Sequence, residues 1–323
     1  MCGVLDAICR RGAVMTGIAW LVPVILSVIS ASTPLLLAAT GELVTEKSGV
    51  LNLGIEGMML LGAIIGFAVT LTTGSAILGI TAAAGAGMAL SFIFGVLTLL
   101  LLANQVAAGL ALTIFGTGLS ALIGKSFVGN AVPVLPKLNL PILSGLPFIG
   151  PILFQQDALV YASFLLLVLV GWFLYRTHAG LVLRAVGDSH EAAHAIGYPV
   201  IAIRFGAVLF GGMTSGLAGA YMSLVYTPMW AENMTAGRGW IALALVVFST
   251  WRPARLLLGA YLFGGISILQ IYVQSMGLPI PSQFLSMLPY LATVLVLVLI
   301  SRDRTRIRLN APASLGRPFH ATG

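Results

Sequence analysis

The stretch RTHAGLVLRAVGDSHEAAHAIGYPVIAIR, residues 176–204, is a polar island between two long hydrophobic parts of the chain. It contains three arginines, three of the four histidines, Asp188 and Glu191. Residues 184–196 predict one or two short amphipathic helices, with a break at Gly187 and an end at Gly197 and Pro199. A water-facing helical segment held between apolar regions needs a surface outside the lipid to dock against. The polar island therefore predicts a membrane protein that communicates with a soluble partner.

The polar island also contains the motif H-E-x-x-H, at residues 190–194. On a helix, this spacing places His190 and His194 on one face to bind zinc, with Glu191 as general base. A zinc site of this type needs a third ligand. The acidic residues and histidines that follow form no recognisable third-ligand pattern; they are Glu232, Asp303 and His320. A membrane-embedded zinc metalloprotease is therefore kept as the alternative function.

The composition is that of a polytopic membrane protein. Of 323 residues, 59% are hydrophobic and 8% are charged, whereas soluble domains contain about 25% charged residues. The net charge is +7, and a basic cluster directly follows an apolar segment. This position favours a cytoplasmic anchor against anionic membrane lipid over nucleic-acid binding. The cluster consists of Arg302, Arg304, Arg306 and Arg308.

Apolar segments long enough to cross a membrane predict an all-α fold, a polytopic transmembrane helical bundle. A span needs about 20 apolar residues, and we predict nine spans, with eight to ten possible. The glycine pairs at 62/66 and 212/216 fit close helix contacts, although single glycines are common in membrane helices. The predicted spans are residues 13–39, 50–71, 76–103, 106–123, 158–175, 205–225, 240–250, 256–273 and 284–300.

The spans divide a single transmembrane domain into two pseudo-repeated halves, residues 13–123 and 205–300. If the basic tail, residues 301–323, is cytoplasmic, counting spans backwards also places the polar island in the cytoplasm. The same count places the proline-rich loop 124–157 and the N-terminus outside the cell. The domain prediction is therefore two halves joined by an extracytoplasmic loop and a cytoplasmic polar island.

Two polar, glycine-containing stretches interrupt the apolar pattern at corresponding places in the two halves. They are GELVTEKSGVLNLGIEGMM, residues 41–59, and MWAENMTAGRGW, residues 229–240. Broken helices of this kind are the best sequence indication of a transport site, because unwound backbone is tolerated only beside protein or water. The predicted substrate-pathway residues are Asn52, Glu56, Asn233, Arg238 and Trp240.

Each pathway residue also has a structural interpretation. A carboxylate at the centre of a membrane helix costs about 2.5–3.5 kcal/mol, so Glu56 is either a pathway or coupling residue, or a helix-capping or ion-paired group. Capping is slightly favoured for Asn52 and Asn233. Arg238 could instead pair with Glu232, and Trp240 could be an interfacial anchor. A pathway role for Glu56 would also fit a secondary transporter driven by protons or sodium.

Three stretches strongly resemble the permease subunits of ABC importers that carry sugars, nucleosides and branched-chain amino acids, and the nucleoside and simple-sugar permeases most of all. They are residues 33–63, 184–197 and 231–253. The second contains Glu191, Ala192, Ala193 and Gly197, which spell the EAA…G signature of a short cytoplasmic coupling helix in that family. The resemblance covers about residues 30–300.

The resemblance implies an alternating-access subunit that is not itself an enzyme and has no cofactor of its own. ATP and magnesium would bind to a partner, the cytoplasmic ABC ATPase. The other implied partners are a second permease subunit and an extracytoplasmic substrate-binding protein or lipoprotein, with the chain in the bacterial plasma (inner) membrane as a multi-pass protein. The polar island would be the coupling loop. Its implied ATPase-coupling residues are Arg184, Gly187, Asp188, Glu191, Ala192, Ala193 and Gly197.

Overall fold

A computed structural model describes residues 21–138, 149–275, 281–301 and 310–320. Within these residues, seven helices are long and apolar enough to cross a membrane. The second half also contains two shorter apolar helices, Arg238–Phe248 and Leu288–Ser301. Each of the nine predicted spans overlaps one of these helices, which confirms the prediction of an all-α transmembrane bundle. Residues 13–20 of the first predicted span and the four arginines of the basic cluster lie outside the described residues.

The helices are numbered in chain order. They are α1 (Leu21–Lys47), α2 (Ile55–Thr73), α3 (Ala76–Gly95), α4 (Gln105–Gly124), α5 (Ile149–Phe154), α6 (Ala158–Arg176), α7 (His178–Asp188), α8 (His190–Ala195), α9 (Val200–Tyr221), α10 (Arg238–Phe248), α11 (Pro253–Ser275), α12 (Ser282–Ser286) and α13 (Leu288–Ser301). Single π-helical turns, Val96–Leu100 and Met222–Tyr226, extend α3 and α9.

Helix α1 ends later than the sequence predicted. The predicted span stopped at residue 39, and residues 41–47 were assigned to an interrupted stretch, but the helix continues to Lys47. Every residue from Ala31 to Lys47 is buried. Protein therefore surrounds this part of α1 on all sides. One carboxylate oxygen of Glu42 and one of Glu46 accept hydrogen bonds from donors inside the bundle. The first true break comprises residues 48–54, where Gly49 has a φ of 87°.

The centre of the bundle is built on close contacts between glycines. Helix α9 packs against α1, α2 and α3. A Cβ added to Gly62 of α2 would lie 2.5 Å from the Cα of Gly216 in α9. Gly87 of α3 would likewise collide with the backbone of Gly212. The predicted glycine pairs therefore lie at helix contacts, where small residues allow two backbones to approach.

The bundle has two distinct ends, which α6 connects over about 28 Å. One end carries the polar island, Lys47 and residues 310–320, which contact one another. At the other end, Ala131 pairs with Met229, and the amide of Val132 donates to the carbonyl of Pro228 at 3.2 Å. We refer to these as the island end and the loop end.

The glycine contacts predict that Gly87→Ala destabilises the bundle, whereas Gly85→Ala in the same helix does not. The added methyl at Gly87 would lie 2.8 Å from the Gly216 nitrogen, and overpacking of this kind costs about 1–3 kcal/mol. At Gly85 nothing lies within 4 Å of the added carbon. The measurement is the thermal unfolding midpoint of each variant in detergent. Equal midpoints for the two variants would show that the α3–α9 contact is not tight.

Candidate functional site

The first break carries the chain from the island end into the interior of the bundle. The amide of Leu51 donates to Oε1 of Gln105, the first residue of α4, at 2.9 Å. The carbonyl of Leu53 accepts from Oγ1 of Thr113 at 2.9 Å. Thr113 lies eight residues further along α4, about 12 Å from its start. Helix α2 therefore begins inside the bundle rather than at its edge.

The second break, residues 227–237, brings the chain inward from the loop end. Its backbone is unwound, and positive φ angles occur at Asn233 (57°), Ala236 (47°) and Gly237 (81°). Helix α10 then begins at Arg238. Both breaks therefore lead to a helix whose N-terminus lies within the protein, and such an N-terminus has backbone N–H groups without helical partners.

Glu56 joins the two breaks. It is the second residue of α2, and its Oε1 accepts hydrogen bonds from Oγ1 of Thr235 at 2.5 Å and from the amide of Gly237 at 2.9 Å. Its Oε2 accepts from the amide of Gly239 at 2.6 Å. The carboxylate therefore caps the N-terminus of α10 from another part of the chain. Negative charge is favoured at this position by the helix dipole.

The opposite end of α10 is held by a second carboxylate of the first half. Nε1 of Trp251 donates to Oε2 of Glu46 at 2.5 Å. Trp251 follows α10 in a turn where Thr250 and Trp251 have φ angles of 51° and 53°. Glu46 and Glu56, which flank the first break, thus hold the two ends of this eleven-residue helix.

The predicted pathway residues are only partly brought together. Glu56, Arg238 and Trp240 lie at the α10 N-terminus, and Arg238 and Trp240 are half-buried. The guanidinium of Arg238 lies 5.4 Å from the ring centroid of Tyr226, and its Nη1 donates to backbone carbonyls of the second break. It does not pair with Glu232, which is exposed.

The two predicted asparagines occupy different environments. Asn52 is fully buried, and its Oδ1 accepts from the amide of Gly54 at 2.9 Å, so its side chain shapes the first break. Asn233 is exposed in the second break. Of the two asparagines, only Asn233 is therefore accessible from outside the protein.

Sequence reasoning missed the donors to Glu56 and the partner of Glu46. Thr235, Gly237 and Gly239 supply the donors, and a Cβ at Gly239 would lie 2.6 Å from Oε2 of Glu56. The repeated glycine in Gly-Arg-Gly indicated such a close approach. The pairing of Trp251 with Glu46, 205 positions apart, had no comparable signal, because no glycine marks a close approach at either residue.

The polar island forms two helices, within the one or two that were predicted, but the first begins at His178 rather than at residue 184, and the break is not at Gly187. Helix α7 continues through Gly187 to Asp188, and Ser189 separates it from α8, with its Oγ accepting from the amide of Ala192 at 3.3 Å. Gly187 is needed for close packing, because an added Cβ would lie 3.2 Å from the Gly49 nitrogen and would overlap the Lys47 carbonyl. Gly197, with a φ of 92°, ends the segment as predicted.

The coupling residues implied by the sequence divide into an exposed and a buried set. Gly187 and Ala193 are buried against the bundle, and Arg184 is half-buried with its guanidinium 5.1 Å from the ring centroid of Tyr175. The exposed surface of the polar island also includes Ile196, which is 72% exposed. The exposed members of the predicted set are Asp188, Glu191, Ala192 and Gly197.

The two histidines of the H-E-x-x-H motif do not converge on a metal site. His190 is buried and His194 is exposed, and both rings pack edge-on against Phe319 with centroids 5.4 Å apart. Among the described residues, no group of three His, Cys, Asp or Glu side chains could hold a metal ion. The geometry gives the zinc metalloprotease alternative no support.

The chain matches the family described as the permease component of the branched-chain amino acid transport system over residues 24–300. The chain belongs to this permease family. It is a multi-pass membrane protein, and its resemblance to ABC importer permeases is confirmed. No solved structure matches it.

Three relatives match over most of their length. TsgC13 of Haloferax volcanii, which carries the provisional name of a glucose ABC transporter permease, is 41% identical over 90% of this chain and 95% of its own length. The nucleoside ABC transporter permease NupC of Lactococcus lactis is 32% identical over 83% of this chain and 89% of its own length. The guanosine ABC transporter permease NupQ of Bacillus subtilis is 32% identical over 91% of this chain and 97% of its own length.

The Glu56 contacts predict that Glu56→Ala destabilises the permease. The amides of Gly237 and Gly239 would lose their acceptor, and each buried unsatisfied donor costs about 1–3 kcal/mol. Glu56→Gln should be intermediate, because its amide offers one acceptor oxygen in place of two. The measurement is the thermal unfolding midpoint in detergent, with the exposed Glu232→Ala as the matched control. A midpoint for Glu56→Ala equal to that of Glu232→Ala would contradict the capping role.

Proposed function

We propose that this chain is the membrane-spanning subunit of an ATP-driven importer for a sugar or a nucleoside. The observation that carries the proposal is the exposed helix pair α7–α8, which packs through Gly187 on the first break of a permease bundle. The family match supports the same conclusion. In this proposal, ATP and magnesium bind to the partner ATPase and this chain catalyses no reaction.

The proposed docking surface for the ATPase is the exposed face of the polar island. It combines small residues with the carboxylates of Asp188 and Glu191 and the apolar side chain of Ile196. Small residues allow close approach, and a central apolar side chain with a charged rim is typical of a protein interface. We place this surface in the cytoplasm of a bacterium, with the chain in its plasma membrane.

The proposed cargo route passes the α10 N-terminus. Half-helix N-termini are recurrent binding elements of transporters, and Arg238, Trp240 and Asn233 lie where the second break meets α10. The aromatic face of Trp240 suits a flat base or the apolar face of a sugar ring. The names of the three relatives favour a neutral hydroxylated solute. A second permease subunit and a binding protein at the loop end would complete the importer.

Reconstitution tests the function directly. The chain, its cognate ATPase, second permease and binding protein are placed in liposomes, and uptake of radiolabelled guanosine and of glucose is measured separately. We expect uptake of one probe that requires ATP on the ATPase side. Uptake at full rate by the purified chain alone, down a gradient and without ATP, would instead establish an ATP-independent transporter.

The docking surface predicts that Glu191→Lys weakens ATPase binding. Reversal of a charge within an interface costs several kcal/mol, so the amount of ATPase recovered with the tagged permease should fall about tenfold or more. Glu232→Lys, the same substitution at an exposed position outside the polar island, is the matched control. The measurement is co-purification from detergent-solubilised membranes. Equal recovery with both variants would place the docking surface elsewhere.

A further inference from the structure

The tail segment, residues 310–320, packs against the island end of the bundle. Its Asn310 carbonyl accepts from Nζ of Lys47, the last residue of α1, at 2.7 Å. The amide of Gly316 donates to the carbonyl of Gly49 at 3.1 Å. The tail segment is therefore bound to both sides of the point where α1 gives way to the first break.

The same segment is bound to the polar island. The amide of Ser314 donates to the carbonyl of Gly187 at 3.0 Å, and its Oγ donates to the carbonyl of Asp188 at 3.2 Å. Both acceptors are at the C-terminus of α7, where carbonyls lack helical partners. The tail segment thus caps α7 and connects it to the first break.

Phe319 extends this connection to α8. Its side chain is 6% exposed and forms a small apolar cluster with Val186, Ala193 and Val200. The rings of His190 and His194 pack against it. Helix α8 has six residues, of which only His190 and Ala193 are buried. Phe319 therefore packs against the buried face of α8.

Buried charge at this junction also depends on the tail segment. Arg204, in the first turns of α9, is 1% exposed, and its Nη2 donates to the carbonyls of Gly49 at 2.9 Å and Arg317 at 3.1 Å. Burial lowers the pKa of His190 below its ordinary value, and Arg204 and Arg317 lower it further against the opposing effect of Glu191.

We propose that the tail segment is part of the coupling apparatus, with Phe319 as the positioning residue that transmits displacement of α8 to the first break at Gly49. Helix α7 reaches Gly49 directly through Gly187, whereas α8 reaches it through Phe319 and the hydrogen bond of Gly316. The inference rests on the proposed function, since the displacement would come from the docked ATPase.

The test compares Phe319→Ala with His320→Ala, its exposed neighbour, in the complete reconstituted importer. The measured quantity is uptake per ATP hydrolysed, for whichever of guanosine and glucose the wild-type complex transports. We expect a fall of about fivefold or more for Phe319→Ala, the lower end of known coupling factors between sites. Phe319→Leu should recover part of the ratio, and His320→Ala should match the wild type. A smaller amount of intact complex lowers uptake and ATP hydrolysis together and leaves their ratio unchanged.

An unchanged ratio in Phe319→Ala overturns the inference, even if the variant is less stable or less abundant. A cargo-independent measurement gives a second decision. Amide hydrogen exchange of residues 50–56 in the ATPase-bound complex should change on addition of ATP, and Phe319→Ala should reduce that change. An equal change in both proteins rejects the tail segment as a link. Absence of ATP-dependent uptake in the wild-type complex would instead refute the proposed function.

Discussion

The capping of α10 by Glu56 is the interaction on which this bundle depends. A helix that begins inside a membrane protein presents amide N–H groups that neither lipid nor helix can satisfy, so the protein must supply an acceptor. Glu56 accepts from Thr235 and from the amides of Gly237 and Gly239. Its own position in the first turn of α2 is favourable for a carboxylate as well. One side chain therefore stabilises two interrupted helices and fixes the two halves of the chain against each other.

Helix α10 depends on the first half at both of its ends. Glu56 holds its N-terminus, and Glu46 holds the indole of Trp251 just beyond its C-terminus. These two carboxylates flank the first break, so any change in the length or direction of that break alters the distance between them. The eleven residues of α10 are therefore held to the two sides of the first break at both ends of the helix.

The sequence predicted the spans well because bilayer thickness sets the length of an apolar helix, and it located both breaks because glycine and polar residues are rare inside such helices. The sequence-based predictions were wrong where a residue that usually ends a helix is buried. Glu42 and Glu46 predicted the start of a polar loop, but they accept hydrogen bonds from internal donors and remain helical in α1. Gly187 predicted a helix break, but it packs closely against Gly49.

The candidate site was predictable in part. The pairing of the two breaks followed from their matching places in the two halves. The donors to Glu56 are one hydroxyl and two backbone amides, and the glycines of Gly-Arg-Gly indicate a close approach without identifying the residue that approaches. The docking of the tail segment was not predictable, because it also depends on backbone groups. Its partners are largely carbonyl oxygens, of Gly49, Gly187 and Asp188, and every residue has a carbonyl.

Gly49 is where these connections meet. Its carbonyl accepts from Arg204 of α9 and from Gly316 of the tail segment, and Gly187 of the polar island packs on its backbone. From Gly49 the chain reaches α2 in six residues, which can span at most about 20 Å, and it is pinned on the way at Leu51 and Leu53. A segment so short has little slack. In the proposed coupling, a displacement at the island end would therefore act on Glu56 and, through it, on the N-terminus of α10, with the first break as the link between the protein surface and the interior of the bundle.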